Sequence, residues 1–472
     1  MNRSAPNTAH VLLAVVLLAA FAPRLFAEET AAADPGGLET HLLKESRNAG
    51  DFANVRVVLE VRGDLRLRPD SDGDDEVQTE PVQVLANLNY AERLLQRGDE
   101  ALAGRRSIRR YQRAEARFQI DGRRHDVALD DQCTLIGVQR DLESTIHFCP
   151  AALLSREDLD LLEVPGNSLL VDALLPGHPV PVGQQWPVSD HIVGALLGVD
   201  AVSNQDVQCE LEEVTGHRAN VTLQGVVHGA VAGVATEIDL RGRYQFDLKA
   251  GQVTWLALII KEDRSIGHIA PGLDVTARLQ MKIDPRESVA ELSDAALEGA
   301  PLVPDDWLTQ LVYESPDAGF RFTHPRDWHV IAADPKAVVM RLIERGELVA
   351  QCNVSPLPDV EPGSKTLEEF QREVRKSLGE HFGEFQRANE AQTSTGLEIY
   401  EVAVQGTAEG LPVYWTYFLV HDDTGRRLAF AFTVEEQLAG ALAEKDRELV
   451  SGVEFFAPTQ PRAARRTDTP AR

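Results

Sequence analysis

Apolar and polar residues alternate along much of the chain from residue 55 to about residue 283. In VRVVLEVRGDLRLRP the apolar side chains fall at 55, 57, 59 and 61, with polar or charged residues at most positions between. A period of two is the spacing of a half-buried strand. Gly63-Asp64 is read as a turn, after which alternation resumes at Leu65 and Leu67, so Arg62-Gly63-Asp64 is a hairpin turn on this reading. ARFQIDGRRHDVAL, VQCELEEVTGHRANVTLQGVV and RGRYQFDLKAGQVTWLALII repeat the pattern around tight turns. Residues 51–287 are therefore expected to form a curved antiparallel sheet or open β-barrel, β-rich and carrying a few short helices.

The period lengthens between the strand blocks. Ser155 precedes REDLDLLEV, whose first turn is acidic, the pattern of an N-capped helix. NSLLVDALL and SDHIVGALLG predict two more short helices. Residues 288–308, with the proline-containing EGAPLVPDD, read as a linker to a second domain over 309–457. That domain begins with a strand, FRFTHP, and the hairpin VVMRLIERGELVAQCNV. A helix over about 366–382, three strands and a last helix over about 435–451 follow. LPVYWTYFLV is apolar on both faces, with Tyr414 and Phe418 on one and Trp415, Tyr417 and Leu419 on the other, as in a central, doubly covered strand. In RRLAFAFTV, Leu428, Phe430 and Phe432 oppose Ala429 and Ala431, where a helix can approach closely. These patterns predict an antiparallel sheet sandwiched by helices, and an α+β class for the whole chain.

Within GFRFTHPRDW, alternation puts Phe320 and Phe322 on one face, Pro325 ends the pairing, and Trp328 is placed to fold back over that face. Aromatics of this size belong in a core. The order F-x-F-x-x-P-x-x-W, hairpin, helix, strand meander and C-terminal helix resembles the PsbP-like superfamily. That superfamily takes in the oxygen-evolving-complex subunit of photosystem II, the Ran-binding Mog-type proteins and bacterial exported relatives. The resemblance covers about residues 310–456. It implies a non-catalytic binding or assembly module, with Phe320, Phe322, Pro325 and Trp328 as core signature, and it carries no partner-binding residue onto this chain. The G-x-x-W element at 183–186 is loosely similar to exported bacterial β-rich proteins and to lipoprotein-carrier half-barrels.

The N-terminus changes the setting. Arg3 precedes an apolar run over 11–22, and Pro23-Arg24-Leu25-Phe26 leads to Ala27 before Glu28-Glu29. Twelve apolar residues make about 18 Å of helix, short of a bilayer core of about 30 Å. Residues 1–27 therefore read as a signal peptide cut after Ala27, with a retained anchor as the alternative, and 28–50 as a spacer. The expected mature protein is periplasmic or extracellular and has no integral membrane segment. Export gives the four cysteines a meaning: Cys133 and Cys149 enclose fifteen residues and are the expected disulfide, while Cys209 and Cys352 read as separate buried thiols. The formal net charge of −27 argues against nucleic acid as partner. Residues 458–472 read as a disordered basic tail.

Candidate chemistry is sparse. No nucleophile elbow, P-loop, dinucleotide fingerprint or H-E-x-x-H is present, so no catalytic residue, cofactor or metal ligand is assigned. Asp70-Ser-Asp72-Gly-Asp74-Asp75-Glu76 misses the glycine and glutamate positions of a calcium loop and reads as a solvated acidic loop. The basic island of residues 104–124 is the exception. Read as a strand, it places Arg109, Tyr111, Arg113 and Arg117 on one polar face, which makes Arg109, Arg113 and Arg117 the candidate anion-binding group. His324 and His329, which flank the aromatic motif, read as surface histidines. The functional expectation is an exported, non-enzymatic binding or assembly protein whose partner is an unknown protein. The alternatives are a carrier of an apolar ligand or lipid in the β-rich domain and an unrecognised hydrolase.

Overall fold

The computed structural model describes residues 39–67, 77–98, 104–140, 144–361, 363–442 and 444–458. The expected signal segment, residues 28–38 of the spacer, the acidic stretch at 70–76 and nearly all of the basic tail lie outside the described residues. Of the described residues 56% lie in strands and 13% in helices, so the protein is β-rich and the expected α+β class is corrected. The chain divides at Thr309/Gln310 into two units. Among the described residues no helix is long and apolar enough to cross a membrane.

The first unit is built on one thirteen-stranded sheet. Its central strands, in spatial order, are Arg105–Ile120, Gln78–Gln96, Phe52–Leu67, Gly272–Arg286, Gln252–Arg264, Val234–Asp247 and Arg218–Val231, all antiparallel. The earliest long strand thus pairs with the latest, through fifteen residue pairs. Gly63 lies inside that pairing and not in a turn. Its φ is +152°, and a Cβ there would stand 2.1 Å from the Asp274 carbonyl oxygen. The expected Arg62-Gly63-Asp64 hairpin is therefore a continuous strand in which glycine allows close approach by its neighbour.

Alternation sorts the side chains onto two faces. Val55, Val57, Leu59, Leu256, Leu258, Leu279 and Met281 are buried on the inner one. Helices Arg156–Leu162 and Asp190–Leu197 and the leucine-rich segment between them supply Leu159, Leu162, Leu169, Leu170, Val193 and Leu196, also buried. The first helix starts where expected: Ser155 Oγ accepts from the Asp158 N–H at 3.0 Å, and the Asp158 carboxylate accepts from the Ser155 N–H at 3.0 Å. NSLLVDALL forms only the 3-10 turn Val171–Leu174, with Leu169, Leu170 and Leu174 buried and Leu175 half-buried. The outer sheet face is mostly polar and charged, and at one end it is covered. There Leu292 and Leu297, from the stretch expected to be a linker, pack on Ala91 and Ile108.

The second unit holds a seven-stranded antiparallel sheet in the order Trp328–Asp334, Ala337–Glu344, Glu347–Leu357, Arg427–Glu435, Leu411–His421, Glu398–Ala408, Phe382–Gln392. Helix Leu367–Leu378, opened by a Thr366 capping box, lays Phe370, Val374 and Leu378 against Val402, Val404, Trp415 and Leu419. The opposite face corrects the expected helical sandwich. It is covered by a three-stranded sheet, Leu311–Ser315, Phe320–His324 and Glu454–Phe455, with the short helices Ala439–Leu442 and Lys445–Ser451. The expected last helix is broken: Glu444, at φ +70°, adopts a left-handed conformation that no α-helix continues.

The aromatic motif is a core. Phe320, Phe322 and Trp328 are at most 1% exposed, Phe322 meets Phe430 edge-on at 5.8 Å, and Trp328 meets Phe432 edge-on at 5.8 Å. Trp328 is not a folded-back lid, however. The turn closed by its N–H on the Pro325 carbonyl, at 3.2 Å, sends it into the first strand of the larger sheet. Trp328→Ala should destabilise the second unit by about 3–5 kcal/mol, the usual range for deleting a large buried aromatic. Denaturant unfolding followed by fluorescence checks this; a parental midpoint would refute the core assignment.

Candidate functional site

The basic island forms strand Arg105–Ile120, and a β-bulge divides it. Tyr90 faces Tyr111 and Asn89 faces Arg113, which leaves Gln112 as an extra residue. One inserted residue reverses which face the following side chains take. Ser107, Arg109 and Tyr111 therefore join Ala114 and Ala116 on the buried face, while Arg113 and Arg117 point to solvent. The three candidate arginines do not share one face. Arg113 pairs with Glu115, and Arg117 Nε lies 3.2 Å from Asp126 Oδ1.

Arg109 enters a buried ionic network. Glu92, 2% exposed, accepts from Arg109 Nε at 2.8 Å, Ser107 Oγ at 3.1 Å and Ser168 Oγ at 3.0 Å. The Arg109 guanidinium also bonds Asn167 and Ser168 and lies over the Tyr90 ring, 4.8 Å from its centroid. Arg47 stands 3.6 Å from Glu92, and Arg105 donates to Asp172 at 2.5 Å and to the Leu169 carbonyl at 2.9 Å. Burial alone would raise the Glu92 pKa, but Arg109, Arg47 and the Ser168 hydroxyl outweigh it and hold the carboxyl below its ordinary value. Glu45 has no such surplus of partners, and burial pushes its carboxyl up. Beside it lies a void of about 10 Å³, lined by Arg47, Arg97, Arg105 and Asp172, the size one water needs. The network pins the N-terminal segment and the Asn167–Asp172 turn to two sheet strands, so its arrangement is that of an anchor.

Sequence reading missed Glu92, Ser168 and Arg47 as partners of Arg109. A signal was present in NLNYAERLLQ: Glu92 falls in phase with Leu88, Tyr90 and Leu94, and a charge among in-facing positions needs a buried partner.

The four cysteines are buried free thiols, and the expected bridge is not formed. Cys133 and Cys149 nonetheless act on one another. The neighbouring thiol, with the backbone N–H groups of Ala151 and Ala152, holds Cys149 below the ordinary thiol value, and the same pairing together with burial drives Cys133 up. His324, expected at the surface, is 1% exposed, with Nδ1 2.9 Å from the Pro325 carbonyl oxygen, whereas His329 is half-buried. In the second unit Glu401, 5% exposed, accepts from Arg387 Nε at 2.7 Å and Arg447 Nη2 at 3.0 Å. Among the described residues no three His, Cys, Asp or Glu side chains are grouped to hold a metal.

The outer face of the first unit has a hollow of about 340 Å³ near the Gln208–Thr215 strand. Its lining is polar. Asp206 accepts from the Val226 N–H at 2.6 Å, Glu210 accepts from Gln185 Nε2 at 2.7 Å, and Asp239 pairs with Arg241 at 3.3 Å.

No family model and no curated relative match the chain. Among solved structures it is similar to a Bacteroides thetaiotaomicron protein at 14% identity, over 31% of this chain and 48% of that one, with a TM-score of 0.24. The chain thus spans about half the length of that protein. It is also similar to cyanobacterial PsbP (CyanoP) from Synechocystis, at 18% identity over 31% of this chain and 93% of that one, TM-score 0.25. A Pseudomonas aeruginosa protein of unknown function matches at 12% identity, over 32% and 99%, TM-score 0.23. About a third of the chain therefore has structural neighbours that include PsbP, at TM-scores too low to establish a shared fold.

Two outcomes follow from these geometries. Glu92→Ala leaves Arg109 buried without its carboxylate and should cost about 3–5 kcal/mol in chemical unfolding. Because the folded Glu92 pKa is depressed, its contribution is full above the ordinary carboxyl range and is lost as pH falls through the folded value. The gap between parent and variant should therefore shrink in acid; a gap that is constant with pH would refute the ionic assignment. Mild oxidation should close Cys133 to Cys149, seen as loss of two hydrogens in the intact mass and protection of both from alkylation. A loop of this length should then add about 3 kcal/mol of stability, and Cys133→Ser should abolish the gain.

Proposed function

We propose that this is an exported, non-enzymatic binding or assembly protein, with both β-rich units acting as rigid supports for interaction surfaces. The observation that supports this most is the outer face of the first sheet. Four long strands paired without a register shift hold mostly polar and charged side chains outward over a broad, firmly supported area. Arg109, Glu92 and Glu401, three of the buried charges among the described residues, are taken up by partners within their own units. The signal-like N-terminus supports export, and a pair of mutually coupled thiols suits a compartment where it can oxidise.

For the second unit we propose a PsbP-like assembly module. The support is Phe320, Phe322 and Trp328 meeting Phe430 and Phe432 between two sheets, so the motif builds the fold and leaves the outer surfaces for partners. The carrier alternative needs an apolar cavity, whereas the hollow of about 340 Å³ is lined by carboxylates, amides and an arginine.

Native mass spectrometry of the mature protein from a producing cell tests the reading. A macromolecular partner in fixed stoichiometry is expected. One bound lipid per chain, released by organic extraction, would overturn it in favour of the carrier.

A further inference from the structure

Cross-strand register aligns the outward side chains of six central strands into rows. One row reads Arg117, Leu85, Glu60, Arg278, Ile259, Arg241. Four residues along the strands, Arg113, Arg56 and Lys282 share another row with the half-buried Trp255. Arg62 and Lys261 occupy a row on the other side of the first, and Arg243 lies between. These four rows hold nine exposed basic side chains against the three carboxylates Glu60, Glu115 and Asp239. The chain as a whole carries −27, so the face is opposite in sign to the molecule that bears it. Arg56, Arg62 and Arg278, on the two middle strands, are in no ion pair among the described residues.

We infer that this face docks a folded protein partner through a carboxylate-rich patch on that partner. The inference rests on the binding or assembly reading and assigns it a surface. With strands about 4.8 Å apart and rows about 6.8 Å apart, the footprint of the six-by-four array of positions is about 800 Å², comparable to one partner's share of a standard-size interface. Seven of the nine bases are arginines, whose planar forks match carboxylates in pairs. Leu85 and Ile259, 37% and 42% exposed, stand among them and supply apolar contact. The interspersed carboxylates decide between sources of negative charge. A lipid headgroup layer or a polyphosphate is uniformly anionic and is repelled by Glu60, Glu115 and Asp239, whereas a protein patch can set its own bases against them.

The test uses the full mature chain, a fluorescein-labelled oligoglutamate peptide as probe of carboxylate recognition, and vesicles of phosphatidylglycerol and phosphatidylcholine as the lipid arm. The parent should bind the peptide in a salt-dependent way and leave the vesicles unbound. Arg56→Glu, Arg62→Glu and Arg278→Glu together should weaken peptide binding at least tenfold with an unchanged melting temperature. The corresponding three lysine replacements should weaken it only a few-fold. Equal binding by the charge-reversed variant, or vesicle binding without peptide binding, would overturn the inference. The charge-reversed variant should also lose the partner seen by native mass spectrometry. If it keeps that partner, only the surface assignment fails; if the parent has none, the underlying reading fails.

Discussion

The pairing of Phe52–Leu67 with Gly272–Arg286 is the constraint on which the first unit depends. It joins segments more than two hundred residues apart, and the entropy lost in closing so long a loop must be recovered by the fifteen pairs that form. Their register then fixes everything on either side. A slip by one residue would send Val55, Val57 and Leu59 to solvent and bring Arg56, Val58 and Glu60 inward, so burial of one face holds the register firmly. Gly63 is what permits it, because any side chain there would strike the Asp274 backbone. The ordered rows on the outer face are thus a consequence of core packing on the inner one.

A second constraint acts inside a single strand. Without the bulge at Gln112, Arg109 and Arg113 would point the same way. With it, one segment delivers a guanidinium to the buried Glu92 and presents two others outward. Burying Arg109 and Glu92 costs desolvation, which their mutual attraction and the Ser107, Asn167 and Ser168 hydrogen bonds offset. Such a pair adds little net stability but penalises every arrangement that separates it. It holds residues 45–47 and the turn after Asn167 against one place on the sheet.

Local periodicity made much of this legible. Most of the hairpins, the Ser155 and Thr366 helix starts and the doubly covered strand around Trp415 follow from residues close in sequence. The readings that failed needed long-range information. Gly63 has turn chemistry, and only its remote neighbour shows that it serves close packing. The bulge at Gln112 has no local mark, so the alternation Arg109, Tyr111, Arg113 was continued through it. Phe320 and Phe322 announced a core correctly, but not that their strand would pair with Leu311–Ser315 and Glu454–Phe455 and take the place of a covering helix. Of the surface now proposed, the sequence showed only one strip, because the remaining bases come from four other strands assembled side by side.

Net acidity and a basic face are compatible because they act over different distances. At physiological salt the Debye length is about 8 Å, while the four rows extend about 20 Å along strands whose alternate residues stand about 6.8 Å apart. A partner in contact therefore feels the local charge of the face, and the acids elsewhere on the chain are screened from it. Those acids bear instead on approach by further copies of the same chain. Apposing two such faces would set arginine against arginine. Packing the face of one copy on the acidic surface of another would be a head-to-tail contact with no symmetry to close it, opposed by the −27 carried by each copy. In the proposed role the acidic body and the basic face are one device: the body discourages self-association, so that the face remains available to a different protein.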